Sequence, residues 1–272
     1  MSKKKNRARL IVFLVLALLL TVFSLAAPLL VPNDPTVTSA AHMNEGPSAR
    51  FPLGTDRYGR CVCSRVMMGA RTSIFSAVCI VAVTFVLGSL LGMLAGYYGG
   101  VLDTIIMRLA DIFLAFPQMV LAIAVAGILG GGMLNAMIAM SVSAWTLYAR
   151  LARSQVLALK NEAYVSAARL SGCRGFTVMF KYLLPNMLGP LLVNAATQIG
   201  TTMIGVAGLS FLGIGVMEPR AEWGSMINQA RAYIQLNPWP VHVPAAATVV
   251  TVMVFNLLGD SARDYLDVEA RG

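Results

Sequence analysis

Cys61 and Cys63 form a C-x-C pair, the closest-spaced thiols among the four cysteines. A tetrahedral zinc site needs four ligands, usually a second such pair or neighbouring histidines. Cys79 and Cys173 are remote in sequence, and the two histidines, His42 and His242, stand alone. Two residues of spacing also suit a disulfide poorly, so the cysteines read as separate thiols. The sixteen methionines include Met119, Met133, Met137 and Met140, whose thioethers could take a soft metal. Thioethers also fill irregular contacts between helices, which is the plainer reading. No metal site is expected. The chain has no Gly-x4-Gly-Lys-Ser/Thr phosphate loop, no His-Glu-x-x-His and no convincing Ser/His/Asp set, so it is expected to be non-catalytic and to bind no cofactor itself.

The elements that must position these residues are set by composition. Of 272 residues, 57% are hydrophobic and 12% charged, and the mean hydropathy is +0.72. Soluble domains carry about 25% charged residues; half of that cannot cover a soluble globule of this length. An all-α integral membrane protein follows. The net charge of +9 would suggest nucleic acid in a soluble protein, but no aromatic-basic surface accompanies it. Lys and Arg retained on the cytoplasmic side of a membrane account for it.

Charged residues are sparse enough that the gaps between them outline the spans. Leu10–Val31, about 33 Å as a helix, follows a basic start and is long enough to cross the hydrocarbon core. Further spans are expected near Ile74–Tyr97, Thr104–Leu129, Met133–Leu151, Met187–Leu209 and Val241–Leu258, with Gly130-Gly131-Gly132 as a tight turn between the third and fourth. Six spans put both termini on one side. With that side cytoplasmic, two thirds of the 21 Lys and Arg lie inside, as the positive-inside rule requires. Arg108 and Asp111, three residues apart on the third span, are expected to pair with one another. Gly88, Gly92 and Gly96 suggest close packing of the second span on a neighbour. The expected organisation is a cytoplasmic tail and first transmembrane helix over 1–31, an extracytoplasmic loop over 32–73, a five-helix core over 74–260 carrying a cytosolic loop at 153–185, and a cytoplasmic tail over 261–272.

That cytosolic loop is the most informative stretch. Glu162-Ala163-Tyr164-Val165-Ser166-Ala167-Ala168 reads as a short helix with a face of small residues, Gly172 ends it, and Leu184-Pro185 precedes the next span. A partner's groove can approach such a face closely, so the loop could transmit force from a soluble subunit. Ser166-Ala167-Ala168-x-x-x-Gly172 followed by Leu184-Pro185 resembles the "EAA" loop of binding-protein-dependent ABC importer permeases, with Ser166 in place of its Glu and Tyr182 in place of its usual Ile. Phe51-Pro52-Leu53-Gly54-Thr55-Asp56-x-x-Gly59-Arg60, then Ser64-Arg65, resembles the outer loop of dipeptide, oligopeptide and nickel permeases. Leu209-Ser210-Phe211-Leu212-Gly213-Ile214-Gly215, Glu222-Trp223-Gly224 and Phe255-Asn256-Leu257-Leu258-Gly259-Asp260 resemble the same family, in order, along nearly the whole chain. Its "C"-type subunit fits best. The Val206-Ala207-Gly208 stretch and the Ala221–Ile234 segment look most like the nickel branch.

The resemblance implies a type I ABC importer permease fold of six transmembrane helices in a bacterial cytoplasmic (inner) membrane, with both termini cytoplasmic. It implies a homologous second permease subunit, two cytosolic ATP-binding subunits that hold ATP and Mg, an extracytoplasmic substrate-binding protein, membrane lipid as solvent and no nucleic acid. The cargo would be nickel or a nickel chelate, with dipeptides or oligopeptides as the alternative. A secondary transporter or channel is a remoter alternative, since neither needs an exposed helical loop at 153–185. The resemblance assigns ATPase coupling to Glu162, Ala163, Ser166, Ala167, Ala168, Gly172, Leu184 and Pro185. It assigns docking of the binding protein on the outer face to Gly54, Thr55, Asp56, Gly59, Arg60, Glu222, Trp223 and Arg231. A short helix at Trp223, Ile227, Ala230 and Ile234 is expected to lie in the membrane interface.

Overall fold

The computed structural model describes residues 3–269. The first two residues of the N-terminal tail, and residues 270–272 with the expected cytoplasmic Arg271, lie outside the described residues. The described chain is helical apart from its loops, with one isolated bridge, Thr55 to Cys61. Its helices are α1 (Lys3–Leu30), α2 (Val62–Tyr98), α3 (Gly100–Leu114), α4 (Gln118–Leu129), α5 (Met133–Leu159), α6 (Ala163–Leu170), α7 (Gly175–Thr177), α8 (Leu184–Phe211), α9 (Trp223–Ala230) and α10 (Trp239–Glu269).

Four helical segments are long and apolar enough to cross a membrane: α1, α2, the continuous rod Gly175–Phe211 and α10. The pair α3 and α4 makes a fifth crossing that is bent by 88°. Helix α5 is 27 residues long, about 40 Å, and runs between both ends of the bundle. Its first turn meets the α8–α9 connection, where the Gly132 amide donates to the Gly215 carbonyl. Its other end meets the start of α3 through Arg153 and Asp103. By length and composition the described residues thus hold four to five crossings, with α5 less apolar than the rest, and both described ends of the chain meet where Asn6 donates to the Asp264 carbonyl.

Several boundaries differ from the sequence expectation. Helix α2 spans 37 residues, about 56 Å, so residues 62–73 are its first turns rather than loop. That length is more than the roughly 30 Å hydrocarbon core requires. The span expected at 104–129 is broken at Ala115–Pro117. Pro117 has no N–H to continue the ladder, and it disfavours helical geometry at Phe116. Pro185 does not precede a span. It sits inside the rod directly after a π-helical turn, Val178–Leu183, where the bonding register shifts and its missing N–H is absorbed. The Gly130–Gly132 turn is as expected, with positive φ at Gly130 and Gly132 and Asn135 donating to the carbonyls of Leu129 and Gly130.

The three glycines of α2 pack on α5. A Cβ at Gly88 would collide with Trp145 and Tyr148, one at Gly92 with the Ala149 backbone, and one at Gly96 with Val156. The α2–α5 contact is therefore backbone against backbone. It anchors a cluster of Val81, Met93, Tyr148, Ala152 and Val156 that continues into Val165, Met179 and Leu183.

Candidate functional site

The coupling segment starts where α5 ends. Lys160 caps that end and donates to the Gly96 carbonyl at 3.2 Å. Glu162 is the extended residue before α6, and Val165 and Ser166 donate to its carbonyl. Helix α6 has only eight residues, too few to be stable alone, so tertiary contact must hold it. Val165 and Ala168 supply that contact: both are buried, Val165 completely. Ala163, Ser166, Ala167 and Leu170 point outward, and Leu170 is 90% exposed.

At the C-terminus of α6, Gly172 takes φ +78°. The Cys173 amide donates to the Ala168 carbonyl and the Gly172 amide to that of Arg169. This left-handed cap satisfies the last carbonyls and turns the chain into α7. Leu184 is half-buried and Pro185 exposed on the rod. Among the expected coupling residues, then, Glu162, Ala163, Ser166, Ala167 and Pro185 are presented outward. Ala168 faces the bundle, because it is one of the two anchors of α6.

Ion pairs brace this end. Arg153 grips Asp103 through Nε and Nη2 at 2.5 and 2.6 Å. Asp111 accepts from Arg150 at 2.6 Å. The expected Arg108–Asp111 pair does not form; a helix-spanning partner with better reach displaces it.

At the opposite end, the outer-loop residues are arranged differently from the expected docking surface. Gly54, Thr55, Asp56, Gly59 and Arg60 are all buried. The Asp56 carboxylate accepts the Tyr58 and Arg60 amides and pairs with Arg60 Nε at 2.7 Å. Arg60 also donates to Gln229 and lies over the Tyr58 ring. Arg65, 1% exposed, donates to the carbonyls of Pro35 and Pro219. Thr55 donates to the His42 carbonyl, and its own carbonyl accepts from Asn237. Burying charge is tolerable only when each charge is paired, and here the pairing clamps the loop onto α2 and α9. Gly59 allows the clamp to close, since a Cβ there would overlap the Ser39 carbonyl.

Glu222 and Trp223 are buried too. The Glu222 carboxylate accepts the Gly224 and Ser225 amides at the start of α9 and the Ser73 hydroxyl of α2. Burial pushes its pKa up, against the lowering pull of those hydrogen bonds. Trp223 donates to the Val66 carbonyl and covers Gly69. Helix α9 therefore packs against protein and does not lie in the lipid interface. Of the expected docking residues, only Arg231 is exposed, beside Ile234 and Leu236.

Among the described residues, no three His, Cys, Asp or Glu side chains are grouped to hold a metal ion. Two polar features went unread in the sequence. One is the Asp103–Arg153 clamp. The other is a cavity of about 160 Å³ beside the α3–α4 break, lined by Gln118, Met119, Met140, Gln198, Thr201 and Thr202.

Residues 88–271 match the family model described as "Binding-protein-dependent transport system inner membrane component". The chain is 38% identical to the dipeptide transport system permease DppC of Alkalihalophilus pseudofirmus, over 97% of this chain and 86% of that one. It is 41% identical to the nickel transport system permease NikC of Escherichia coli K12, over 93% of this chain and 92% of that one. It is 43% identical to the glutathione transport system permease GsiD of Pectobacterium atrosepticum, over 83% of this chain and 75% of that one. In fold it is similar to a chain of the inward-facing MetNI methionine ABC transporter, with a TM-score of 0.54 and 21% identity over 71% of this chain and 94% of that one. The chain belongs to the family of inner membrane components of binding-protein-dependent transport systems, and it is a non-catalytic permease subunit of an ABC importer.

Proposed function

We propose that this chain forms half of the translocation path of an ATP-driven importer whose cargo is nickel carried in a chelate. It pairs with a homologous permease, presents α6 to one of two cytosolic ATP-binding subunits and receives cargo from a binding protein at the loop end. The termini are cytoplasmic, and the exposed Arg231, Ile234 and Leu236 are the docking residues. The observation that carries the coupling role is α6 itself. A helix too short to stand alone is locked by Val165, Ala168 and the Gly172 cap, and it leaves Ala163, Ala167 and Leu170 outward. An exposed apolar tip on a rigid mount suits a partner's groove.

ATP and Mg bound by the partners would supply the energy: closing the ATPase dimer draws the two coupling helices together and opens the path outward. A second reading, in which short peptides are the cargo, is favoured by the relatives named for dipeptide and glutathione transport. Uptake of labelled nickel and of a labelled dipeptide, in cells with and without this chain, separates the two. Loss of neither on deletion would defeat both cargo readings, and purification without an ATPase would defeat the assignment of α6 to coupling.

A further inference from the structure

The broken span leaves Ala115, Phe116, Pro117 and Gln118 exposed on the side of the chain. Helix α3 starts level with Arg153 of α5, its Phe113 ring packs edge-on against Trp145, and the chain then breaks at 115–117 before α4 resumes beside Met140. The last carbonyls of α3 and the first amides of α4 have no helical partners there. Within a bilayer such backbone persists only inside protein or against water.

The cavity of about 160 Å³ opens at this break. Three of its polar side chains stand on α8. They are Gln198, Thr201 and the buried Thr202, and Asn194, one turn before Gln198 and outside the cavity, extends the same polar face. The Thr201 hydroxyl, with one proton to give, lies 2.7 Å from Gln198 Oε1 and 3.1 Å from the Gln198 backbone carbonyl. The side-chain oxygen keeps a second lone pair and the NH₂ its two donors, so the Gln198 amide can both accept and donate. Gln118 approaches from the first turn of α4. By contrast, the larger cleft of about 610 Å³ between α2, α3 and α5 is lined almost wholly by Val, Leu, Ile, Phe and Trp, as hydrocarbon requires. The polarity at the break is thus local.

Its chemistry is amide and hydroxyl, without a charged group. The acids and bases nearest along these helices, Asp111 with Arg150 and Asp103 with Arg153, are already paired with one another. A bare divalent cation would need carboxylates or imidazoles. The two thioethers are engaged in packing: the Met140 methyl fills the space over Gly205 and the Met119 methyl that over Gly208.

We infer that the cavity formed by Gln118, Gln198, Thr201 and Thr202 at the α3–α4 break is a cargo-reading station on the path. It takes uncharged hydrogen-bonding groups, the amides and carbonyls of a peptide or of the organic shell around a chelated metal. The inference rests on the importer reading above and adds to it the class of group recognised.

The test uses the complete transporter in cells, with the native cysteines of this chain replaced by Ser for the labelling arm. Gln198→Leu keeps bulk and removes the donors. Uptake of the transported cargo, labelled dipeptide or labelled nickel chelate, should fall about tenfold at unchanged membrane level of the assembled transporter. Uptake within twofold of the parent would overturn the station. Independently, Thr201→Cys should react with a small charged thiosulfonate, while Val83→Cys in the apolar cleft should not. A Thr201→Cys that stays inert in every nucleotide state overturns the inference as well. Should the parent transporter move neither probe, the cargo reading fails, and the labelling arm still decides whether the cavity is wet.

Discussion

The cap at Gly172 sets up a graded test of coupling. Its φ of +78° lies in the left-handed region, and a Cβ built there meets nothing within 4 Å. Substitution therefore costs backbone strain alone, with no steric term. A non-glycine residue in this region costs roughly 1–2 kcal/mol. Asn, whose side chain tolerates the conformation, should cost least, Ala about 1 kcal/mol and β-branched Val about 2 kcal/mol. Gly172→Pro cannot reach the angle and also removes the N–H that the Arg169 carbonyl accepts, at a cost of about 3 kcal/mol or more. One kcal/mol changes the ratio of capped to uncapped α6 about fivefold and two about thirtyfold. In proteoliposomes holding the assembled transporter, uptake and binding-protein-stimulated ATPase should fall together in the order Gly, Asn, Ala, Val, Pro, while the amount of assembled complex stays constant for the first three. Side-chain volume ranks Ala ahead of Asn, so the Asn/Ala order distinguishes strain from bulk. Wild-type transport by Gly172→Val, or Ala outperforming Asn, would refute the reasoning.

Ala168→Arg places a charge against Val165 and the cluster beneath it, so it should lower the melting temperature of the detergent-solubilised subunit; Ala167→Arg, one residue along and exposed, should leave melting unchanged and weaken co-purification of the ATPase. Equal effects of the two on melting would contradict the inward orientation of Ala168. Because burial raises the Glu222 pKa, the folded state is favoured below the ordinary carboxylate range and loses that advantage as pH rises through the shifted value. Glu222→Gln, which cannot ionise, should give a flatter dependence of melting temperature on pH, though a lower melting point at acid pH; parallel curves for the two proteins would remove Glu222 from the account. In cells, Arg231→Cys should react with an impermeant thiol reagent from outside, and Leu170→Cys only after permeabilisation. The reverse pattern would invert the orientation.

What could be read from sequence was mostly backbone. Gly130–Gly132, Gly172 and the Gly88/Gly92/Gly96 series stand where a turn, a cap and a close helix contact need them, and a missing Cβ is visible in a sequence. Side-chain direction is not. Asp56 and Arg60 look like a solvated loop surface because charged loop residues usually are exposed; only the fold reveals that they satisfy each other in the interior. Arg108 was the obvious partner for Asp111 by helical spacing, yet Arg150 reaches it from 39 residues away. The break at Pro117 and the polar face of α8 escaped for one shared reason. Gaps between charges locate spans well, but they do not register an uncharged Gln or Thr, or a proline, within the gap.

The same contacts define which parts of the bundle move as one. Val165 and Ala168 fix α6 to the cluster shared by α2, α5 and the π turn. The glycine contact makes α2 and α5 a single backbone-packed unit, and Arg153 with Asp103 and Arg150 with Asp111 tie α3 to α5 at two points. A displacement of α6 is therefore passed on to α2, α5 and α3 without an intervening soft joint. Helix α4 is different. It is held through Ala122 and Ala126 against Ala136, Ala139 and Met140 near the loop end, and only three non-helical residues, 115–117, join it to α3. Close-packed elements transmit strain, so relative motion concentrates where the ladder of hydrogen bonds is already interrupted. That place is the wall of the amide-lined cavity, which makes the break the point at which a push on the coupling helix would change what Gln118 and Gln198 can hold.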